Sequence, residues 1–435
     1  MKLLIYGLNY APELTGAGKY TAEMAEALAA RGHEVRAVCA PPYYPAWRVA
    51  DGWSAWRYAT ETRGGVSVRR APLWVPAHPH GATRIVHLAS FALTSIVPVL
   101  AQWRWRPDVV LAIAPTLVCA PAALALARAT GARAWLHLQD FEVDAAFGLG
   151  LLRHAYAARL AHAYERAVLC RFDVVSSISE RMVERLVSLG VAPARTLCLP
   201  NWVDVERIRP LGRASLYRKE WAIGSREKVV LYAGNMGAKQ GLGFLLAAAS
   251  RLLGRADIRF VLCGDGLLRD ELARQCGGLP NCMMIGLQPA QRFNELLGVA
   301  DVHVLPQLAD AADLVMPSKL TGMMASGRAI VATAREGTQL AAVLSGRGVV
   351  VAPEDAAALA GAIETLADDP RLRARLGAAA RRYAVRELSA GAVMERLEQR
   401  VLAQGSRGRL GPASEVAETA GRAHEVSEPR SGELT

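Results

Sequence analysis

The sequence predicts an α/β protein made of two Rossmann-like, doubly wound domains that face each other across a cleft. Three observations lead there. Short β-rich runs alternate with Ala- and Leu-rich helical stretches in two successive series, a glycine turn follows the first strand of each series, and a Pro-Asn segment separates them.

The first series places strands at residues 3–6, 35–39, 66–70, 109–113, 134–138, 174–176 and 196–199, with a helix over about 18–30. These runs are rich in Val, Ile and Leu without strict alternation, as strands buried on both faces should be. The second series runs through strands at 229–232, 259–262, 282–285, 302–305, 329–332 and 348–351, with a helix over 243–253. The expected organisation is a first domain over 1–203, a polar linker over 204–228 and a second domain over 229–375. Helices over 376–403 are expected to return and brace the first domain. From residue 404 to 435 the composition is Gly, Ser, Glu and Arg with scarcely a hydrophobic cluster, which predicts a disordered tail.

Composition narrows the class. The 435 residues are 52% hydrophobic and 21% charged, enough for two full cores. Seven scattered cysteines without C-x-x-C or Cys/His spacing point to a reduced, cytoplasmic setting and no structural zinc. The opening apolar run is too short for a signal peptide. Residues 109–127 are nineteen uncharged residues, but prolines at 115 and 121 interrupt them, so a buried strand and helix are expected rather than a membrane span.

The formal charge is +11, and residues 1–203 carry 21 Lys and Arg against 14 Asp and Glu, or +7. No helix-turn-helix, zinc or aromatic-platform pattern accompanies it, so nucleic acid is not an expected partner. Anionic lipid or phosphorylated substrates fit better, and a plain solvated basic surface stays open. Residues 84–106 are apolar in the middle and end Trp103-Arg104-Trp105-Arg106, a pattern that suits either a membrane interface or a core helix with a basic end.

Two loops carry the candidate chemistry. In the first domain, Glu13-Leu14-Thr15-Gly16-Ala17-Gly18 leads from strand to helix, so Gly16 and Gly18 allow backbone N–H groups to approach an anion at a helix N-terminus. A turn that merely starts the helix is the alternative. Thr21 stands where a dinucleotide fingerprint needs its third glycine, which argues against an NAD enzyme. In the second domain, Gly234-Asn235-Met236-Gly237-Ala238-Lys239-Gln240-Gly241 puts a lysine beside a glycine turn without P-loop order. A diphosphate there would receive backbone N–H groups, the Asn235 side chain and the Lys239 ammonium. At the end of a first-domain strand, His137, Gln139 and Asp140 are placed toward the cleft, with His137 equally readable as a core histidine.

The ordered landmarks over about residues 1–395 resemble family 4 glycosyltransferases of the GT-B architecture. They are the Gly16/Gly18 loop, Arg31-Gly32-His33-Glu34-Val35, Ser177-Ile178-Ser179-Glu180, Pro200-Asn201-Trp202-Val203-Asp204, Gly264-Asp265-Gly266 and Met316-Pro317-Ser318-Lys319-Leu320. Tyr6 to Gly16 and Ala40-Pro41-Pro42-Tyr43-Tyr44-Pro45 look closest to the colanic-acid-type fucosyltransferases of exopolysaccharide assembly.

The resemblance implies sugar transfer from a nucleotide-diphosphate donor with retention and no metal or other cofactor. No Asp-x-Asp pair stands in the chain to hold a metal-diphosphate. Fucose from GDP-fucose is one donor it allows, and a lipid-linked or free saccharide is the implied acceptor. By the same resemblance, Asp140, Lys239 and Asp313 are the candidate catalytic residues, and Glu13, His137 and Asp140 lie on the acceptor side. Gly16, Gly18, Asn235, Lys239, Asp313, Ser318 and Lys319 are candidates for the donor. The family's ribose-binding glutamate is replaced by Gly322, and Asp313 is the nearest acid to the first acidic position. Asp313 as a solvated loop carboxylate and Lys239 as a surface lysine remain alternatives. A nucleotide-sugar 2-epimerase or a catalytically idle GT-B scaffold would share the architecture.

Overall fold

A computed structural model describes residues 1–13, 16–79, 81–115, 117–141, 155–237, 240–309 and 317–405. The expected disordered tail falls almost wholly outside them.

The first domain is built on an eight-stranded sheet ordered β3-β4-β2-β1-β5-β6-β7-β8. Its strands are β1 (Lys2–Gly7), β2 (Glu34–Cys39), β3 (Ala59–Arg63), β4 (Val66–Arg70), β5 (Val109–Ala114), β6 (Arg133–Leu138), β7 (Val174–Ser177) and β8 (Thr196–Cys198). All pairs are parallel except β3 with β4. That hairpin turns through Gly64 and Gly65, both with positive φ, as a tight two-residue turn demands. Helices α1 (Gly16–Ala30), α2 (Gly81–Leu100), α3 (Ala120–Thr130), α4 (Ala155–Leu169) and α5 (Glu180–Ser188) cover the sheet. Alternate residues of β1 serve opposite faces: Leu3 and Ile5 pack with Met24 and Leu28 of α1, whereas Leu4 and Tyr6 share a cluster with Phe91 and Val99 of α2. Residues 109–127 are β5 and most of α3, both inside this core.

The second domain repeats the plan with a six-stranded parallel sheet ordered β11-β10-β9-β12-β13-β14. These are β9 (Lys228–Ala233), β10 (Ile258–Cys263), β11 (Cys282–Ile285), β12 (Val302–Leu305), β13 (Ala329–Thr333) and β14 (Val349–Val351). Around them lie α6 (Leu216–Glu220), α7 (Leu242–Arg251), α8 (Arg269–Gly277), α9 (Phe293–Val299), α10 (Ser318–Ala325), α11 (Gln339–Leu344), α12 (Ala356–Asp368) and α13 (Pro370–Glu387), and α14 (Ala390–Gly405) follows them in the chain.

Two boundaries differ from the sequence expectation. Residues 204–228 are not a free linker. Tyr217 of α6 is buried with Val229 and Leu231 of β9, and the Arg381 guanidinium donates to the carbonyls of Val205 and Ile208, fixing the segment to the second domain. The C-terminal helices do not act as one brace. Helix α13 stays with the second domain through Ala380 and Ala384, and only α14 crosses, burying Val393, Leu397 and Val401 against Tyr20 and Leu28 of α1. The chain passes between domains at Trp202–Val203 and at Leu388–Ala390, and these crossings are bonded to each other: Val203 N–H donates to Leu388 O at 2.9 Å, and Val203 bridges Ser389.

In each sheet the strand order reverses at one place, between β1 and β5 and between β9 and β12. Open α/β sheets bind ligands outside the strand carboxyl ends at such switch points. The two sets of carboxyl ends come together where the first turn of α5 meets α11, with Arg181 N–H donating to Gln339 Oε1 at 3.3 Å.

Candidate active site

On the second-domain side, the loop after β9 is dictated by its neighbours. Gly234 has φ +147°, and a Cβ there would lie 2.3 Å from Lys319 Cε and 2.6 Å from Lys319 Nζ. Gly264, at the end of β10, would drive a Cβ to 1.9 Å from Gly234 O, and Gly266 to 2.7 Å from Met236 N. Only glycines allow the two loops to touch and leave room for the lysine. Met236 N–H donates to Asp265 O at 2.8 Å, closing the pair.

Lys319 lies in the first turn of α10 and lays its stem across Gly234. Its ammonium donates to the Tyr232 hydroxyl at 2.7 Å and to Gln240 Oε1 at 3.0 Å, and sits 4.5 Å from the Tyr232 ring centroid. Tyr232 in turn donates to Asn235 O. The described partners of this ammonium are therefore neutral, and burial lowers its pKa to about 8. The Gly234 and Gly264 N–H groups are committed to Cys263 O and Ile285 O, so the half-buried ammonium is the group at this switch point arranged to accept an anion. Ser318 stands exposed at the start of the same helix, and Asn235 is exposed beside it on the glycine loop. Gly322 is buried, and a Cβ there would meet Leu297 Cδ1 at 3.3 Å, so this position faces the packed side of α9. Lys239 and Asp313 lie outside the described residues.

On the first-domain side, the structure separates residues that the sequence grouped. Gly16 (φ +63°) is exposed at the start of α1. Gly18 is buried because a Cβ would fall 2.5 Å from Glu13 Oε2. Glu13 is 5% exposed: Oε1 accepts from Tyr43 N–H and Tyr44 N–H at 3.1 Å each, and Oε2 accepts from Asn9 at 2.9 Å. Burial pushes its pKa up against those three donors. Glu13 is thus a tether between two loops, with its carboxylate buried.

His137 is buried in the same way. It is 1% exposed, and burial lowers its pKa to about 4, so the ring is neutral. Gln139 Nε2, which can only donate, points at His137 Nε2 at 3.0 Å, leaving the ring proton on Nδ1 toward Ser176 Oγ at 2.9 Å. Ser176 also accepts from Trp135, and Asn201 donates to Gln139 Oε1 at 3.0 Å. This string fixes the end of β6 to the crossing segment, and only Asp140, at its tip, is exposed.

Three residues were missed by sequence reasoning. Tyr232 and Gln240 hold Lys319, yet Tyr232 reads as one more apolar strand residue. Arg70 is fully buried, pairs with Glu61 Oε1 at 2.6 Å and donates to Ala11 O, so it fixes the loop that carries Glu13. An arginine at an inward strand position, two residues on from Val68, was the available signal.

Comparison with known proteins supplies the context. Residues 15–202 match the glycosyl transferase 4-like domain, and residues 227–369 match glycosyl transferases group 1. The chain is 43% identical over 397 residues to a protein of Escherichia coli (strain K12) assigned to colanic acid biosynthesis as glycosyl transferase WcaI, covering 89% of this chain and 96% of that one. Among solved structures, a sucrose-phosphate synthase from Thermosynechococcus elongatus superposes with a TM-score of 0.72 at 17% identity, over 93% of this chain and 99% of that one. Anabaena Alr3699/HepE in complex with UDP and glucose gives 0.65 at 15% identity, over 93% and 100%.

Proposed function

We propose a donor chemistry on one premise: the chain belongs to the glycosyltransferases that join a glycosyl transferase 4-like domain to a group 1 domain in a GT-B fold. The reading is transfer of a sugar, with retention and without a metal, from a nucleotide-diphosphate donor to a lipid-linked or free saccharide in exopolysaccharide assembly. The observation that carries it is the Lys319 ammonium, held by neutral partners over the Gly234 and Gly264 loops. The assignment of the Escherichia coli relative to colanic acid biosynthesis supports the pathway class, and fucose is one sugar consistent with it.

In this mechanism the anomeric C–O bond to the diphosphate breaks as a bond from the acceptor oxygen forms on the same face. The acceptor hydroxyl proton passes to the departing phosphate oxygen. Lys319 and the N-terminus of α10 stabilise the charge that builds on the diphosphate. Lys239 adds a second cation, and Asn235, Ser318 and Asp313 bind the donor. Gly16 brings the start of α1 toward the donor from the opposite wall, and Asp140 orients the acceptor side of the cleft.

The test is nucleoside diphosphate release from a panel of nucleotide sugars, with and without saccharide acceptor, followed by NMR of the product anomer. The expected result is acceptor-dependent release with retained configuration and full activity in EDTA. Release with an epimerised free sugar and no acceptor would establish the epimerase reading instead. Loss of activity in EDTA, restored by Mg²⁺ or Mn²⁺, would reject metal independence.

A further inference from the structure

Helix α2 is two-sided in an unusual way, because both sides are apolar. Its inner side packs on the first-domain sheet: Tyr6 stacks 6.1 Å from Phe91, the Tyr6 hydroxyl meets Ser95 Oγ at 2.6 Å, and Val99 is fully buried. Its outer side carries Ile85, Val86, Leu93, Ile96, Val97 and Leu100, all exposed, with Leu93 and Val97 each 68% exposed. At 3.6 residues per turn these six fall on one arc of about a third of the circumference. Within Thr83–Arg104 an 18-residue stretch has a mean hydropathy of 1.7, yet only 33% of that stretch is buried. A surface helix usually turns charged residues outward. This one turns none outward on that arc.

Electrostatics and aromatic placement say what should cover it. Residues 62–107 contain no Asp or Glu, and Arg104 and Arg106 follow the arc, whereas Arg84, on the opposite side of the helix, covers the Trp47 ring at 5.3 Å. Trp103, just past the helix end, is 56% exposed with the Arg104 guanidinium 5.6 Å from its ring centroid. Exposed Tyr58 lies against the same helix and donates to Thr94 O at 2.8 Å. Trp105 is not an outward anchor, since its indole N–H donates to Glu34 at 2.6 Å and Arg36 covers its ring. The inner packing forbids α2 from crossing a bilayer, which leaves it lying in the plane of an interface.

We propose that the outer arc of α2, with Trp103, Arg104 and Arg106, docks the first domain onto an anionic lipid bilayer, the helix axis parallel to the surface. The arc enters the acyl boundary, and the arginines meet lipid phosphates. The inner side of the same helix carries the link to the site: His87 packs 4.8 Å from Tyr43 and 5.3 Å from Trp47, and Tyr43 N–H holds Glu13 beside Gly18. Docking would therefore set the loop that carries Glu13 near the membrane surface. That link to a lipid-linked acceptor rests on the function proposed above, whereas the docking face rests on α2 alone.

The experiment is flotation of the full chain with phosphatidylcholine vesicles and with vesicles that also contain phosphatidylglycerol, at low and high salt. The wild type should float with the anionic vesicles at low salt and less at high salt. The triple variant Ile85→Gln, Leu93→Gln, Val97→Gln should bind at least tenfold more weakly, with an unchanged melting temperature and unchanged transfer to a short soluble acceptor. Wild-type protein that ignores anionic vesicles, or a triple variant that floats equally well, overturns the proposal. So does a wild-type dimer that the triple variant converts to monomer without any vesicle binding, because a second copy would then be the occupant. Flotation without any sugar transfer would leave docking standing and reject the proposed function.

Discussion

Lys319 concentrates the chemistry at the scale of one residue. Its ammonium is half-buried beside neutral partners, so the unliganded protein holds a cation that a diphosphate would satisfy. Substituting Lys319→Met should weaken nucleoside diphosphate binding by about 10–100-fold, the value of one charged hydrogen bond of about 1.5–3 kcal/mol, as measured by calorimetry. Wild-type affinity should fall as pH rises through about 8, and the variant's should be flat there. Stability moves the other way. With the folded pKa depressed, the unfolded chain holds a proton that the folded one has lost above pH about 8, so stability rises with pH toward the ordinary lysine range, and the variant should lack that slope. The motif containing Lys319 was legible in the sequence, but its partners were not, because Tyr232 and Gln240 meet it only after two loops fold together. His137 shows the converse: near a strand end the sequence left a cleft and a core reading open, and its burial decides for the core.

Among the elements, the paired glycine loops and helix α14 carry the most consequence. Gly234→Ala places a Cβ where the Lys319 stem lies and puts a non-glycine residue at φ +147°. It should cost about 1–3 kcal/mol of stability and also weaken donor binding, readable by denaturant unfolding and ligand titration. Leu397→Ala in α14 removes a buried side chain from the first-domain core and should destabilise by about 2–5 kcal/mol, although residue 397 follows the whole second domain in sequence. A melting temperature equal to wild type would show that α14 is not packed as described. The central strands were readable from their apolar runs. Strand β3 was not, because Ala59–Arg63 is mostly exposed and polar and pairs only at the sheet edge. The destination of α14 was likewise hidden, since amphipathic spacing says that a face is buried and not against what.

On the scale of the whole molecule, the two sheets meet on their carboxyl-end sides where α5 touches α11, and the described chain crosses between domains at segments bonded together by Val203 and Leu388. Such a joint leaves the two domains as separate bodies, which under the proposed function would hold donor and acceptor apart, as a two-substrate transfer requires. The sequence disclosed the two series and their order. It did not disclose that residues 204–228 belong to the second domain, because the arginine that fixes them, Arg381, is far along the chain. The central claim is that this assembly moves a sugar from a nucleotide diphosphate to an acceptor. The most direct measurement is nucleoside diphosphate release by wild type and by Lys319→Met, each with and without saccharide acceptor. The account predicts release that needs the acceptor and drops at least tenfold in the variant. Release that ignores the acceptor, or that is equal in the two proteins, would contradict it.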